Sequence, residues 1–291
     1  MGWRVVAVRS RAKLDYKMNY LVCRNDNGVS KVFIDEIGML IVESTAVSLT
    51  AVLLNELIEK NVKIVFCDSK RNPSGEIIPY YGSHDTSMKI NNQIGWTEEI
   101  KGEVWRDIIK RKIKNQMNMM KHYNIEEYIL LDKYCEEVEL NDVTNREGHA
   151  AKVYFNNIFG KEFKREDENN INAALNYGYA ILLSSINRAI VSMGYITQLG
   201  IFHRNRFNEF NLGSDIIETV RFIVDNEVKK MRHDKFDTVE KDILKNIMNK
   251  EVEVDGTNQT LLNGIEIYTR SVVEALNFGD SSNIKYISCE L

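Results

Sequence analysis

The sequence predicts an α+β protein in which a small β-rich domain precedes a larger all-α domain. Short runs of β-branched and aromatic residues, separated by turn signals, fill the first eighty residues. Beyond about residue 90 the apolar residues recur at helical spacing, and no proline occurs after Pro79. We therefore expect a β-rich domain over residues 1–80, a linker over 81–90 and a helical domain over 91–291.

Five strands and one helix are predicted in the first domain. Residues 25–28 read Asn-Asp-Asn-Gly between two strand-like runs, which is typical of a β-hairpin turn. A helix is predicted over 49–60, where the apolar residues form one stripe. Pro73 and the segment 79–83 then break the pattern and mark the end of the domain. The predicted strands cover 3–8, 20–23, 32–34, 39–42 and 62–66.

The second domain is predicted to consist of helices. Ile100, Val104 and Ile108 are four residues apart, as on the buried face of a helix. The most apolar stretch, 171–186, is too short to cross a bilayer and predicts a buried helix. The other predicted helices cover 124–139, 145–158, 170–198, 215–231, 237–250 and 259–277.

The composition of the 291-residue chain favours a cytoplasmic protein with no membrane segment. The four cysteines form no CxxC pair, so a thiolate zinc site has weak support and a reducing compartment fits. The N-terminal segment carries arginines where a signal peptide would need an unbroken apolar core.

The charge is distributed unevenly along the chain. The formal net charge of −4 argues against a generally basic nucleic-acid-binding protein. However, seven basic and two acidic residues give 101–121 a charge of +5, and 188–208 contains arginines and no acid. The acidic run 126–142 carries −6, and we expect it to face away from DNA. A solvated helix face is the alternative to a phosphate-binding track. The candidate phosphate contacts are Lys110, Arg111, Lys112, Lys114, Arg146, Arg188, Arg204 and Arg206.

Three segments of the helical domain contain candidate metal ligands, namely 144–151, 193–203 and 214–221. Asp215 and Glu218 are three residues apart and share one face of a helix. Two carboxylates and one imidazole would make a mixed oxygen and nitrogen site that suits Mg²⁺ or Mn²⁺.

Each of these residues also has a purely structural interpretation. Thr144 and Glu147 have the T-x-x-E spacing of a capping box at the start of a helix. Asp215 and Glu218 have the same spacing, with Asp215 as the N-cap. His203 follows a glycine at the end of an apolar helix, where a histidine is commonly a surface residue. The residues alone leave both interpretations open.

A series of motifs in a fixed order extends over nearly the whole chain. The motifs are MGWR at 1–4, IVFCD at 64–68, YYG at 80–82 followed by His84 and Asp85, NREGHAA at 145–151, NAALNYGY at 172–179, FNEFN at 207–211 and SDIIE at 214–218 followed by Arg221. Together they resemble the CRISPR-associated integrase (Cas-one) family, especially the shorter form found in type II systems.

The resemblance implies a β domain that dimerises, followed by a helical catalytic domain. It also implies that the metal ligands are Glu147, His203 and Glu218. Asp215 stands where the family has a further acidic residue near the metal, as a partner of a ligand or an occasional ligand. For His149 we weigh an auxiliary role near the site against a position that never touches DNA. Thr219 replaces a proline that is common in the family.

The activity that the resemblance implies is DNA integration. The 3′-hydroxyl of a short DNA fragment, the prespacer, attacks a phosphodiester of a CRISPR repeat, with Mg²⁺ or Mn²⁺ as the Lewis acid. This transesterification requires no protein nucleophile. Two alternatives stay open: a metal-dependent nuclease that hydrolyses branched or single-stranded DNA, and a DNA-binding scaffold without catalysis.

The resemblance implies several partners besides DNA. The family forms homodimers, and two of them flank a dimer of the small Cas-two subunit in a heterohexameric complex. Type II systems also use their effector nuclease and a further adaptation protein.

Overall fold

The computed structural model describes residues 2–80 and 83–291. Met1 of the first matched motif, and Tyr81 and Gly82 of the predicted linker and the YYG motif, lie outside the described residues. Within the predicted linker, 86–90 belong to a helix.

Residues 2–80 form eight strands and one helix, so the prediction of a β-rich first domain is confirmed. The elements are β1 (Arg4–Val8), β2 (Ala12–Lys17), β3 (Tyr20–Asn25), β4 (Gly28–Phe33), β5 (Ile37–Val42), β6 (Val47–Leu49), α1 (Ala51–Glu59), β7 (Lys63–Cys67) and β8 (Pro73–Glu76).

The strands form two four-stranded sheets. The first has the order β1-β5-β7-β8, in which β1, β5 and β7 are parallel and β8 is antiparallel to β7. The second has the order β4-β3-β2-β6, and the predicted hairpin at 25–28 joins β3 to β4. Strand β2 was not predicted. Its hairpin turn consists of Met18 and Asn19, both with positive φ, and Met is an unusual residue in such a turn.

The first sheet is buried on both of its faces, as parallel sheets usually are. Successive side chains of a strand point to opposite faces. Leu40 and Ile64 therefore lie in the core of the β domain, together with residues of the second sheet and of α1. Met39, Ile41 and Val65 lie on the other face and belong to the core of the helical domain. The two domains are consequently joined by a shared hydrophobic layer.

Buried polar contacts reinforce the junction between the domains. The Lys245 ammonium pairs with Glu43, and both side chains are almost fully buried. Lys63 of β7 pairs with Glu76 of β8, and Ser184 Oγ donates a hydrogen bond of 2.7 Å to the same carboxylate. Because an unpaired buried charge is costly, these contacts disfavour separation of the two domains.

Residues 83–291 form nine helices and three short strands. The elements are α2 (Thr86–Ile94), α3 (Glu98–His122), α4 (Tyr128–Glu136), α5 (Arg146–Phe159), α6 (Asn170–Ser192), α7 (Asn211–Ile216), α8 (Arg221–Lys230), α9 (Thr238–Asn246), β9 (Glu251–Val254), β10 (Thr257–Thr260), α10 (Leu261–Phe278) and β11 (Ile287–Ser288). The long helices α3 and α6 form the centre of this domain, and the prediction of a buried helix at α6 is confirmed. None of the helices in the described part of the chain is long and apolar enough to span a membrane.

The second domain is mostly helical and contains a small sheet that was not predicted. Strands β9 and β10 form a hairpin, and β11 pairs with β9. The hairpin turn consists of Asp255 and Gly256, with φ of 54° and 71°. An Asp-Gly dipeptide favours this turn type. The signal was missed because the flanking strands have only four residues each.

Candidate active site

Glu147 lies in the first turn of α5, but it does not cap that helix. The N-cap is Asn145, which has a left-handed φ of 52° and accepts a hydrogen bond from a backbone N–H of the first turn. The Asp142 carboxylate accepts the backbone N–H groups of Arg146 and Glu147, at 2.8 and 3.0 Å. The T-x-x-E capping box is therefore wrong.

Glu218 lies where the predicted helix 215–231 is interrupted. A 3₁₀ turn (Ile217–Thr219) separates α7 from α8 and leaves the Thr219 carbonyl free to accept a hydrogen bond of 2.7 Å from Asn115 of α3. Arg221 Nε donates to Glu218 Oε1 at 2.9 Å. The turn forms with threonine at the position where the resemblance expected proline. It directs Glu218 towards α3 and α5.

The two glutamates meet at one buried ammonium group. Lys112 Nζ of α3 pairs with Glu147 and lies 2.5 Å from Glu218 Oε2. Burial lowers the pKa of Lys112, but the carboxylates of Glu218 and Glu147 outweigh burial and raise the pKa above its usual value. Burial raises the pKa of Glu218, but Arg221 and Lys112 outweigh it and lower the pKa to about 2. Lys112 and Glu218 are thus held in their charged forms.

Asp215 fixes the position of His203. Its carboxylate is fully buried in α7 and accepts the backbone N–H groups of Ile201, Phe202 and His203 at 2.5, 3.1 and 3.0 Å. Asp215 Oδ1 also lies 2.6 Å from Nδ1 of His203. The interpretation of Asp215 as a helix N-cap is therefore wrong. Because Nδ1 is engaged, Nε2 is the ring nitrogen left for another partner.

The loop that carries His203 is also held by aromatic contacts. The ring of Phe202 stacks on Trp105 of α3, with centroids 4.5 Å apart. The imidazole of His203 meets the same indole edge-on at 5.8 Å. The hydrogen bond to Asp215 raises the pKa of His203, burial opposes this shift, and the charges of Asp215, Glu218 and Glu147 add to it. His203 thus lies within the electrostatic reach of both glutamates.

We expect Gly200→Ala to disrupt this loop, because Gly200 packs directly against it. A Cβ atom there would lie 2.5 Å from the His203 carbonyl oxygen and 2.7 Å from Asp215 Oδ2. Such overpacking should lower the free energy of unfolding by about 2 kcal/mol, measured by urea denaturation. Gly75→Ala is the control, since a Cβ there meets nothing within 4 Å. Equal stability of the two variants would contradict the proposed packing.

A cavity of about 270 Å³ opens beside the two glutamates. Its wall also contains Asp225, which accepts hydrogen bonds from the hydroxyl groups of Tyr154 and Tyr179. Burial raises the pKa of Asp225 to about 6, although these hydrogen bonds act in the opposite direction. The Arg221 guanidinium lies over the Tyr179 ring, 4.6 Å from its centroid. The charged side chains that line the cavity are Lys112, Glu147, Arg165, Glu218, Arg221 and Asp225.

The chemistry of these residues fits a divalent metal. Glu147 and Glu218 are two carboxylates already gathered around one cation, and His203 has a free Nε2. Oxygen and imidazole ligands suit Mg²⁺ or Mn²⁺. In this arrangement no three His, Cys, Asp or Glu side chains in 2–80 and 83–291 are close enough together to bind one ion. The side chains would have to approach one another by rotamer changes to hold a metal.

Three of the candidate phosphate contacts are buried or engaged elsewhere, so these predictions are corrected. Lys112 is the cation between the glutamates. Arg188 of α6 is buried and bonds to Asn61, because it packs against the β domain. Arg111 donates a hydrogen bond of 3.0 Å to the Ile287 carbonyl at the C-terminal strand.

The remaining candidate phosphate contacts have their charged groups at or near the surface. Arg146 Nε lies 3.1 Å from a Glu137 carboxylate oxygen, and Arg204 pairs with Glu98. His149 is exposed on α5, and its ring lies 5.9 Å from that of Tyr134. The other three candidates are exposed or half-buried, namely Lys110, Lys114 and Arg206.

Lys112 is the residue whose position sequence reasoning missed, although a signal was present. It lies on the buried face of α3, four residues after Ile108 and three after Ile109. A single lysine within an apolar stripe predicts a buried charge that needs a partner. Asp225 carries no such local signal, because the tyrosine hydroxyl groups that it accepts come from two other helices, α5 and α6.

Comparisons with known proteins find one family over most of the chain. The family model for CRISPR associated protein Cas1 matches residues 5–252. The CRISPR-associated endonuclease Cas1 of Neisseria meningitidis serogroup C (strain 8013) is 33% identical over 226 residues, which cover 77% of this chain and 74% of that protein. The CRISPR-associated endonuclease Cas1 1 of Francisella tularensis subsp. novicida (strain U112) is 25% identical over 277 residues, 87% of each chain.

Solved structures share the fold at low sequence identity. A CAS1 protein from Thermotoga maritima has a TM-score of 0.77 and 18% identity, with 99% of this chain and 100% of that chain covered. A casposase bound to integration product also gives 0.77 and 18%, covering 97% of this chain and 94% of that chain. A Cas6-RT-Cas1--Cas2 complex gives 0.74 and 17% and covers 97% of this chain, which spans 36% of that longer chain. With the family model matching most of its length, this chain belongs to the CRISPR-associated Cas1 family.

Proposed function

We propose that this protein is a metal-dependent DNA integrase that joins the 3′-hydroxyl ends of prespacer DNA to the repeat of a CRISPR array. The observation that carries the proposal is that Glu147 and Glu218 come from separate elements and meet at one charged, partly buried site. His203 comes from a third element, and the charges of both glutamates help to raise its pKa. The relatives named Cas1 endonucleases and the fold shared with a casposase support a nuclease or integrase.

Each of the site residues has a distinct task in this proposal. Glu147, Glu218 and Nε2 of His203 would hold Mg²⁺ or Mn²⁺. The metal would supply Lewis-acid activation of the scissile phosphoryl group. Asp215 fixes the His203 ring so that Nε2 faces outward. Arg221 keeps Glu218 ionised and oriented. The 3′-hydroxyl of the prespacer attacks the scissile phosphorus and displaces a 3′-oxygen of the repeat, so no serine or cysteine of the protein takes part.

The partners are part of the same proposal. One structural neighbour is a chain of a complex that contains Cas1 and Cas2. We infer that this protein forms homodimers through its β domain, and that two homodimers flank a Cas2 dimer in a heterohexameric complex on DNA. The type II effector nuclease and a further adaptation protein belong to the proposal on the sequence resemblance alone.

Hydrolysis of branched or single-stranded DNA is the second candidate function, because the relatives are named endonucleases. The same site would then use water in place of the 3′-hydroxyl.

The chemistry of the DNA 3′ end distinguishes strand joining from hydrolysis. Labelled DNA fragments with 3′-hydroxyl or 3′-dideoxy ends are incubated with a supercoiled repeat plasmid, Mg²⁺ or Mn²⁺, and the Cas2 subunit or none. We expect joined fragment only from the 3′-hydroxyl ends and only with metal. Cleaved plasmid without any joined fragment would support the nuclease, and binding without either product would support a scaffold.

A further inference from the structure

The Lys112 ammonium lies at the point where the metal-binding carboxylates meet. It contacts Glu147 from α5 and Glu218 from the 3₁₀ turn, and only 8% of the residue is exposed. A buried lysine normally requires a carboxylate partner, and this one has two. The lysine therefore brings the two carboxylates together, through a hydrogen bond to Glu147 and an ion pair with Glu218.

The cavity around this lysine is electrically balanced. Its wall contains three basic side chains (Lys112, Arg165 and Arg221) and three acidic ones (Glu147, Glu218 and Asp225). A divalent ion that entered without any rearrangement would leave two uncompensated positive charges in a partly buried space. Such a charge imbalance is unfavourable at low effective dielectric. Moving one resident cation away from the carboxylates would halve it.

Lys112 is the cation that can move most readily. Arg221 is held by Glu218 and by the Tyr179 ring, and Arg165 bonds to Asn172 and Asn176. The lysine head has no partner other than the two glutamates among the described residues. Its stem has four rotatable bonds, and the cavity of about 270 Å³ lies beside it.

We propose that Lys112 is a resident cation of the active site that competes with the divalent metal for Glu147 and Glu218. It keeps the two ligands together before metal binds, and it gives up at least one of them when metal arrives. The affinity for metal then depends on how much more strongly the two carboxylates bind the divalent ion than the Lys112 ammonium. The inference rests on the proposed metal site and adds to it the residue that regulates loading.

The inference is tested by measuring the Mn²⁺ affinity of Lys112 variants. Titration calorimetry is performed without DNA on the wild type, on Lys112→Met, which removes the charge and keeps the length, and on Lys112→Arg, which retains the charge. Lys114→Met is the matched control, since Lys114 lies two residues further along α3 and is exposed. We expect Lys112→Met to bind Mn²⁺ at least about tenfold more tightly. Lys112→Arg and Lys114→Met should stay close to the wild type.

The same variants distinguish competition from a merely structural role. Lys112→Met should melt at a lower temperature in chelator and recover with Mn²⁺, because the metal replaces the lost positive charge. Equal or weaker Mn²⁺ binding by Lys112→Met would overturn the inference and leave the metal site intact. Absence of Mn²⁺ binding to both wild type and variant would overturn the metal site itself, and the inference with it.

If Lys112→Met fails to fold, a measurement on the wild-type protein still tests the inference. In protein labelled with ¹⁵N-lysine, the Nζ resonance of Lys112 is identified by its loss in Lys112→Arg. We expect it to shift during titration with Mg²⁺, in step with a calorimetric Mg²⁺ titration of the wild type. A resonance that stays unchanged at saturating Mg²⁺ would show that the ammonium keeps both carboxylates, and would overturn the inference.

Discussion

Glu147→Gln is expected to reduce strand joining at least about 100-fold and to leave DNA binding largely unchanged. The amide keeps the shape of the side chain but removes one of the two carboxylates that would hold the metal. Loss of a residue that only supports a ligand already costs 10- to 100-fold in comparable sites, so loss of a ligand should cost at least as much. Joined product on a repeat plasmid and fluorescence anisotropy of labelled DNA measure the two effects separately.

His203→Ala should give the same result, because it removes the nitrogen ligand from a different element. The control for both variants is Glu137→Gln, which removes a carboxylate that pairs with Arg146 nearby and does not contact Lys112. Near-wild-type joining by either Glu147→Gln or His203→Ala would mean that the active site is assigned to the wrong residues.

Asp215→Asn is expected to have the second-largest effect, because it changes the residue that organises the His203 loop. The carboxylate accepts three backbone N–H groups and faces Nδ1 of His203. An amide would turn an N–H group towards these donors and leave some of them unpaired. We expect the free energy of unfolding to fall by about 3 kcal/mol. We also expect Mn²⁺ affinity to fall about 10- to 100-fold.

Urea denaturation and titration calorimetry measure these two losses. Asp132→Asn is a suitable control, since Asp132 is an exposed carboxylate on α4. A variant with unchanged stability but lost joining would assign Asp215 to the metal itself. A variant with unchanged stability and unchanged Mn²⁺ affinity would contradict the role derived from its hydrogen bonds.

Local sequence patterns were sufficient for much of the fold. The Asn-Asp-Asn-Gly turn, the apolar stretch of α6 and the absence of later prolines depend on neighbouring residues, so they are visible in the sequence. The hairpin of β9 and β10 was missed because each strand is short and pairing between strands is a tertiary contact. The break between α7 and α8 was missed for a similar reason. It is stabilised by Asn115, which lies more than a hundred residues earlier.

The sequence predicted which residues form the site, but not how they are arranged in space. The family resemblance implied Glu147, His203 and Glu218 as ligands, while spacing alone could not decide between capping and ligation. The structure shows Asn145 capping α5 and Asp215 binding the loop of His203, so Glu147 is free to face the cavity. Counting charges along the sequence wrongly predicted Lys112, Arg111 and Arg188 as phosphate contacts. Successive residues of a helix alternate between solvent and core, so a basic residue in such a segment need not face solvent.

The position at which Mn²⁺ binds is the most direct test of the proposed active site. Crystals of the wild-type protein are soaked in Mn²⁺, and anomalous difference maps are calculated from data collected near the manganese absorption edge. We expect one strong peak between the carboxylates of Glu147 and Glu218, within bonding distance of Nε2 of His203. A strong peak at another place, with none between these three side chains, would contradict the proposed site.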